Sequence, residues 1–169
     1  MLLRSAVPDD ALPVARVHVR SWQVGYRNLL PAEYLDGLRP EDWMGRYEFG
    51  AESGKPETLV AVEDGAILGF ATVAPVRHAA ARVTGEIWAL YVDPPWWGRD
   101  IGHALIERAR NRLREAGFRE AVLWVLAGNT RAQRFYRRDG WIEEGVGRTR
   151  SVRGLTVNEI RYRRPLASP

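Results

Sequence analysis

Apolar residues recur along this chain with two different periods, and the change of period marks the predicted elements. Near the N-terminus they recur at spacings of three and four, which places one apolar stripe along a helix. Two β-prone runs, Glu57 to Glu63 and Ala66 to Ala74, are joined by Asp64-Gly65, a pair typical of a two-residue hairpin turn. The helical stripe consists of Leu12, Ala15, Val19, Trp22 and Tyr26.

The stretch from Glu86 to Leu105 joins an apolar strand to a helix through a loop that contains glycines. The strand ends at Asp93-Pro94-Pro95, because two consecutive prolines cannot donate to a β-ladder. A helix is predicted from Ile101 to about Ala116, with an apolar residue at every fourth position. Unpaired N–H groups and the dipole at such a helix start favour an anion such as phosphate. An ordinary strand-to-helix turn is the alternative.

Two familiar phosphate-binding loops do not match this stretch. A Walker A loop ends in Gly-Lys-Ser or Gly-Lys-Thr, and the only lysine of the chain is Lys55. A dinucleotide fingerprint needs Gly-x-Gly-x-x-Gly, and Gly98 and Gly102 lack that spacing. An anion site here must therefore be of another type.

The rest of the pattern completes an α/β order. Strand, helices, hairpin, strand, helix, strand, helix and hairpin follow one another. This order predicts a mixed, mostly antiparallel sheet with helices on both faces, in a single domain of residues 1–169. The further predicted elements are strands Leu2–Val7 and Ala121–Leu126, a helix Ala32–Leu38, a helix from Pro40 that contains Trp43, Met44 and Tyr47, a loop Arg77–Val83, a helix from the N-cap Asn129 to Gly140, and a hairpin of Trp141–Val146 with Leu155–Arg163.

Composition removes several classes of protein. The 169 residues contain no cysteine, so there is no disulfide, thiolate metal site or cysteine nucleophile. The net charge is +4, but arginines and acidic residues interleave throughout, which does not favour nucleic acid as a partner. His18, His78 and His103 lie far apart, so no metal site is predicted. Without a signal pattern or a membrane-length apolar run, we expect a soluble cytoplasmic protein with no membrane partner.

The central stretch resembles motif A of the GNAT superfamily, the acetyl-CoA-dependent N-acetyltransferases. In that motif a strand ending in a Val-Asp-Pro-like step leads into a Gln/Arg-x-x-Gly-x-Gly/Ala loop and a helix. The loop pattern falls on Trp97 to Gly102 here. Gly98, Gly102, Arg99 and Ile101 fit, whereas Trp97 stands where Gln or Arg is usual and Asp100 stands where Gly is usual. Asp100 puts a carboxylate beside the expected pyrophosphate, which should weaken binding.

The second crossover is similar to motif B of the same superfamily. It contains Asn129, Ala132, the pair Phe135-Tyr136, and Gly140-Trp141 at the spacing of that motif. The opening, with His18-Val-Arg-Ser-Trp22, Tyr26, Leu30-Pro31 and Tyr34-Leu35, and the closing Arg161-Tyr-Arg-Arg-Pro-Leu also resemble bacterial members. The resemblance thus covers nearly the whole chain.

The resemblance implies that acetyl-CoA, the acyl-donor substrate, lies in a V-shaped opening between the two central strands. Its pantetheine would pair with the strand backbone near Leu90 and Val92, and its pyrophosphate would bind the N–H groups of residues 98–103. Asn129 would hydrogen-bond the pantetheine arm. The implied cofactor-binding residues are Leu90, Tyr91, Val92, Trp97, Gly98, Arg99, Asp100, Ile101, Gly102, His103 and Asn129.

The same resemblance implies direct attack of an amine on the thioester. Tyr136 matches the tyrosine that protonates the leaving thiolate; the alternative is that it only packs against Phe135. Glu86 matches a glutamate that many relatives have on this strand, and a desolvated carboxylate beside Trp88 is a candidate base. A water molecule as the base, or a strand-end surface position for Glu86, remains open.

The resemblance further implies a primary amine as the acceptor, either a small molecule or a protein N-terminus, and it is compatible with a homodimer. Candidate lining residues are Ser21, Trp22, Tyr26 and Trp88, although Trp22 and Tyr26 also fit a plain core. Two other functions stay open. A non-catalytic acyl-CoA-binding or sensing module would bind the cofactor without turnover, and a basic nucleic-acid-binding domain would show salt-sensitive binding and no affinity for CoA.

Overall fold

A computed structural model describes residues 1–50, 55–75 and 83–166. The predicted loop Arg77–Val83 therefore lies outside the described residues except for Val83, and so does His78. The strands are β1 Leu2–Ser5, β2 Glu57–Glu63, β3 Ala66–Pro75, β4 Thr84–Val92, β5 Glu120–Leu126, β6 Ile142–Val152 and β7 Leu155–Pro165. The helices are α1 Ala11–Gly25, α2 Ala32–Asp36, α3 Pro40–Met44, α4 Ile101–Glu115 and α5 Thr130–Arg138, with 3₁₀ turns at Pro8–Asp10 and Pro94–Trp96.

The seven strands of the described part form one mixed sheet in the order β1-β2-β3-β4-β5-β7-β6. Neighbouring strands are antiparallel except β4 and β5, which are parallel and are connected through α4. The predicted mixed α/β sheet is thus confirmed. In the β2–β3 turn both Asp64 and Gly65 have positive φ, 49° and 77°, which suits the twist of a two-residue hairpin.

Helices cover both faces of the sheet because successive strand residues point to opposite sides. Val60 and Phe70 pack with Val14 and Val17 of α1. On the other face, Leu59, Ala71 and Ile87 pack against α4 through Leu105, Ala109 and Leu113. The buried face of α1 is therefore wider than the predicted stripe, which did not include Val14 and Val17.

Several predicted boundaries were wrong for local physical reasons. The first strand ends at Ser5 rather than Val7, because the Asp10 carboxylate accepts the Val7 N–H at 2.8 Å and turns the chain into a 3₁₀ turn. Helix α2 ends at Asp36, and α3 ends at Met44, so Tyr47 lies outside it. Strands β6 and β7 run beyond the predicted limits, because each supplies the other's backbone partners although the side chains of β6 are mostly exposed.

The two parallel strands separate halfway along their length. Pairing between β4 and β5 runs only from Thr84 with Glu120 to Ile87 with Leu123. Beyond that point β4 continues beside β3 and β5 continues beside β7. The separation coincides with a β-bulge, since Ile87 pairs with Val73 and Ala89 with Thr72, which leaves Trp88 as the extra residue. A V-shaped gap opens in the middle of the sheet.

Gly69 should be required where β3 passes beneath α4. A Cβ there would lie 2.8 Å from the Tyr91 carbonyl oxygen and 3.0 Å from Leu105 Cδ1. We expect Gly69→Ala to lower the free energy of unfolding by about 1–3 kcal/mol in urea denaturation, because the core is overpacked. Gly45→Ala is the control, since nothing lies within 4 Å of its added Cβ. Equal stability of the two variants would show that the strand relaxes freely.

Candidate active site

The gap between β4 and β5 is the centre of a large cleft of about 1580 Å³. Its walls come from these strands, the loop before α4, the starts of α4 and α5, and the end of α1. The cleft brings together the predicted site residues Ser21, Trp22, Tyr26, Glu86, Trp88, Leu90, Tyr91, Val92, Trp97, Gly98, Asp100, Ile101, Gly102, His103, Asn129 and Tyr136. Arg99 is not among the lining residues; its guanidinium lies 4.8 Å from the ring centre of Trp96.

Backbone groups of β4 face the gap. The Asp93 N–H donates to the Leu68 carbonyl of the β3 side at 2.8 Å, and antiparallel bonding alternates from residue to residue. The N–H and C=O groups of Leu90 and Val92 are therefore turned away from β3, towards β5. Because β5 has already separated there, these groups form an exposed strand edge inside the cleft.

Two side chains already bond to that edge. The Val92 carbonyl accepts a hydrogen bond from Ser21 Oγ at 3.0 Å and one from Trp97 Nε1 at 2.6 Å. Ser21 belongs to α1, so this bond ties the helix to the end of β4. The sequence placed both side chains near the site but gave no signal that they converge on one carbonyl.

The loop after β4 delivers the start of α4 to the cleft. Gly98 and Asp100 have positive φ, 75° and 59°, and the helix begins at Ile101. The first N–H groups of an α-helix have no acceptor within the helix, and in α4 the Asp100 side chain makes no capping hydrogen bond to them. A Cβ at Gly102 would meet Phe135 at 3.3 Å, which shows how closely α4 and α5 approach here.

Tyr136 combines a buried ring with a hydroxyl at the cleft. The ring packs edge-on against Phe135 at 5.2 Å and against Trp141 at 6.2 Å, so it is also a core residue. Its hydroxyl makes no hydrogen bond to another described residue. Burial raises the pKa of the Tyr136 phenol, which therefore stays protonated near neutral pH and can act as a donor.

Glu86 lies inside the sheet rather than at a strand end. It is the third residue of β4, and its neighbours across the sheet are Ala74 and Val122. Its side chain is half-buried and lines the cleft. This position places a carboxylate one residue before the point where β4 and β5 part.

The aromatic residues of α1 serve both the core and the cleft. Trp22 is buried against Leu35 and Trp43, and it also lines the cleft. Tyr26 faces Tyr91, and burial raises the pKa of both phenols. These residues thus pack in the core and also line the cleft, and their role in binding an acceptor stays a prediction. Trp88 is half-buried in the same cleft.

Asn129 caps α5, as its sequence position predicts. Its side-chain oxygen accepts the Ala132 N–H at 3.1 Å, which leaves the amide NH₂ as the group free to donate to a ligand. His103 is exposed at the other side of the cleft, with its ring 5.1 Å from Phe135.

His18 lines the cleft and was not predicted as a site residue. Its ring stacks on Tyr91 at 4.9 Å, Nδ1 shares a hydrogen bond with the Tyr47 hydroxyl, and Nε2 is buried without a partner. Burial, helped by Arg46 and Arg150, lowers the pKa of His18 to about 3, so the ring is neutral. A single histidine on a helix carries no sequence signal for this environment.

Charged residues of the last hairpin also line the cleft, and the sequence did not predict them as site residues. Buried Glu159 of β7 pairs with Arg148 at 2.6 Å and with Arg150 at 3.0 Å, and these two arginines come from β6. Their long separation from the predicted motifs hid them from the sequence pattern. Within the described ranges, no cluster of three or more potential metal ligands occurs and no helix is long and apolar enough to cross a membrane.

Comparisons with known proteins agree with this architecture. Residues 20–141 match the family model described as acetyltransferase (GNAT) family. The chain is 28% identical over 127 residues to the uncharacterised N-acetyltransferase YuaI of Bacillus subtilis, which covers 75% of this chain and 72% of that protein. It is 33% identical over 138 residues to an uncharacterised N-acetyltransferase of Archaeoglobus fulgidus, with 80% and 89% covered.

A solved structure shows the same fold. The PaiA N-acetyltransferase of Thermoplasma acidophilum, in complex with coenzyme A, superposes with a TM-score of 0.75 over 97% of this chain and 98% of that one, at 19% identity. The chain therefore belongs to the GNAT acetyltransferase family, and the family that the two sequence motifs indicated is confirmed. It is an acyltransferase of the N-acetyltransferase class.

The neutral state of His18 should make stability depend on pH. The unfolded chain takes up a proton on this residue below its ordinary pKa of 6.5, whereas the folded chain resists until about pH 3. This stabilisation is complete above 6.5 and declines as pH falls. Between about pH 7 and about pH 5, the free energy of unfolding should fall by about 2 kcal/mol more in the wild type than in His18→Phe. Parallel curves from denaturant titrations would contradict the assignment.

Proposed function

We propose that this chain transfers the acetyl group of acetyl-CoA to a primary amine by direct attack in a ternary complex. The observation that carries the proposal is the exposed edge of β4, where the groups of Leu90 and Val92 face a gap that leads to the start of α4. The same fold in Thermoplasma acidophilum PaiA holds coenzyme A.

The cleft offers a separate partner for each part of the acyl donor. The edge of β4 pairs with the amide groups of pantetheine, which add as a further strand. The N–H groups of residues 98–103 donate hydrogen bonds to the pyrophosphate oxygens, and the dipole of α4 favours their negative charge. Asn129 donates to the pantetheine arm from the opposite side. Asp100 opposes the pyrophosphate by charge repulsion, so binding is weaker than a glycine at this position would give.

Three proton and charge movements then need partners. Glu86 takes the proton of the acceptor ammonium, directly or through water, because only the neutral amine is a nucleophile. A backbone N–H on the free edge of β4 stabilises the oxyanion. Tyr136 donates its phenolic proton to sulfur as the C–S bond breaks, and the proton that the attacking nitrogen loses after it bonds to the acetyl carbon restores the phenol.

The acceptor enters from the side of the cleft formed by α1. Trp22, Tyr26, Trp88 and Tyr91 make an aromatic wall there, which suits an apolar amine or a cation held over a ring face. A small-molecule amine and a protein N-terminus both fit this chemistry. A homodimer and a cytoplasmic location also stay predictions.

A non-catalytic acyl-CoA-binding module is a second candidate. Two observations favour it, because both should weaken binding of the acyl donor. Trp97 already bonds to the Val92 carbonyl, and Asp100 places a carboxylate beside the expected pyrophosphate. The two functions separate in one experiment. Calorimetric binding of acetyl-CoA, followed by an amine panel with detection of released CoA thiol, gives turnover for the enzyme and binding alone for the module. The chain has no cysteine, so a thiol reagent sees no background from the protein.

Tyr136→Phe should lower kcat by about 100-fold while changing the Kd for acetyl-CoA less than about twofold, because the phenol acts only as charge develops on sulfur. Thiol release measures the rate and calorimetry measures the Kd. Tyr34→Phe is the matched control, since the Tyr34 hydroxyl donates to the Val152 carbonyl outside the cleft lining. Wild-type kcat in Tyr136→Phe would remove the acid role.

Glu86→Gln should abolish the rise of kcat/KM with pH near neutrality and lower its plateau by about 100-fold, because the amide cannot accept a proton. The pH profile of the same thiol assay tests this. Glu48→Gln removes another carboxylate from the cleft and controls for the loss of charge alone. An unchanged profile in Glu86→Gln would leave water as the base.

A further inference from the structure

The indole of Trp97 occupies the position that a strand-like ligand needs. Its Nε1 donates to the Val92 carbonyl at 2.6 Å, and that carbonyl belongs to the edge of β4 that faces the gap. An amide N–H of an extended ligand pairing with this edge competes for the same acceptor.

Other contacts hold the indole across the open end of the gap. The guanidinium of Arg131, at the start of α5, lies 3.4 Å from the centre of the Trp97 ring. The ring edge lies 3.8 Å from a Cβ built on Gly25, the last residue of α1. The indole thus spans the gap from α5 to α1.

Arg131 is held by this ring rather than by an ion pair. Among the described residues it has no carboxylate partner within salt-bridge distance, and burial lowers the pKa of its guanidinium. A contact with an aromatic ring does not neutralise a cation, so the guanidinium can still pair with an anionic ligand. Arg131 lines the cleft together with Gly98, Asp100 and the first residues of α4.

We propose that Trp97 and Arg131 form a gate on the pantetheine channel, which acyl-CoA opens by displacing the indole from Val92 and drawing the freed guanidinium to its phosphates. The inference rests on the proposed function, since it needs the donor to bind along β4. It also explains why a tryptophan at the usual Gln or Arg position does not remove positive charge from the loop, since Arg131 supplies that charge from α5.

Opening leaves no unpaired acceptor behind. When the indole departs, the Val92 carbonyl keeps the hydrogen bond from Ser21 Oγ at 3.0 Å. A buried carbonyl without a partner would penalise the open state, and Ser21 removes that penalty. Opening the gate therefore breaks only the Trp97–Val92 hydrogen bond and the Trp97–Arg131 ring contact. Their loss lowers the affinity for acyl-CoA without abolishing binding.

The test compares two ligands on three proteins by calorimetry. Coenzyme A carries pantetheine, whereas adenosine 3′,5′-bisphosphate carries the adenosine with its 3′- and 5′-phosphates and no pantetheine. Trp97→Phe keeps an aromatic ring and removes the N–H that bonds Val92. Trp96→Phe is the matched control, because it removes an indole from the same loop without a bond to Val92.

For coenzyme A we expect Trp97→Phe to bind roughly two- to tenfold more tightly than the wild type, the change equivalent to one net hydrogen bond. Adenosine 3′,5′-bisphosphate should bind both proteins equally, and Trp96→Phe should match the wild type with both ligands. In stopped flow, the observed rate for the wild type should level off at high coenzyme A, because opening limits it, and the rate for Trp97→Phe should keep rising.

Equal or weaker coenzyme A binding by Trp97→Phe, or an equal gain for the bisphosphate, would overturn the gate and leave the proposed function standing. If coenzyme A bound none of the three proteins, the proposed function would fall, and the gate with it. Matching thermal melting curves for the three proteins establish that the variants are folded.

Discussion

The parallel pairing of β4 with β5 ends at Ile87 and Leu123, and backbone hydrogen bonding makes this the controlling feature of the molecule. Inside a protein every N–H and C=O group needs a partner. Where the two strands part, β5 stays paired with β7 and β4 stays paired with β3, but the two edges that face the gap lose each other as neighbours. The molecule therefore keeps a strand edge without a neighbouring strand in its interior. The cleft exists because side chains, rather than another strand, lie beside that edge.

The side chains around the gap supply part of the hydrogen bonding and packing that this strand edge lacks. Ser21 and Trp97 bond the Val92 carbonyl, and the aromatic residues of α1 fill the space beside β4. Tyr136 comes from the opposite side, with its ring packed edge-on against Phe135 and its residue lining the cleft. Residues that pack in the core and residues that line the cleft are therefore largely the same residues. A substitution here changes the packing of the core and the chemistry of the cleft together.

Much of this could be predicted from the sequence. Asp64-Gly65 identified its hairpin because only a few residue types adopt two successive left-handed conformations. The apolar residue at every fourth position of α4 identified the buried face of that helix. Most of the residues that the two motifs singled out line one cleft. The bulge at Trp88, the stacking of His18 on Tyr91 and the contact of Arg131 with Trp97 could not be predicted. Each depends on the meeting of distant segments, which local periodicity does not encode.

The position of β7 between β5 and β6 has a consequence for biosynthesis. The last hairpin supplies the neighbour of β5 and part of the cleft wall, and Tyr34 bonds to Val152 across 118 residues of sequence. Contacts of such separation form late, because long loops must close first. A ribosome-bound chain that ends before Leu155 exposes the bare edge of β5 and has a cleft without one side. The cleft thus gains this wall only after β7 has been made, and a product truncated before β7 is left with an unpaired apolar strand.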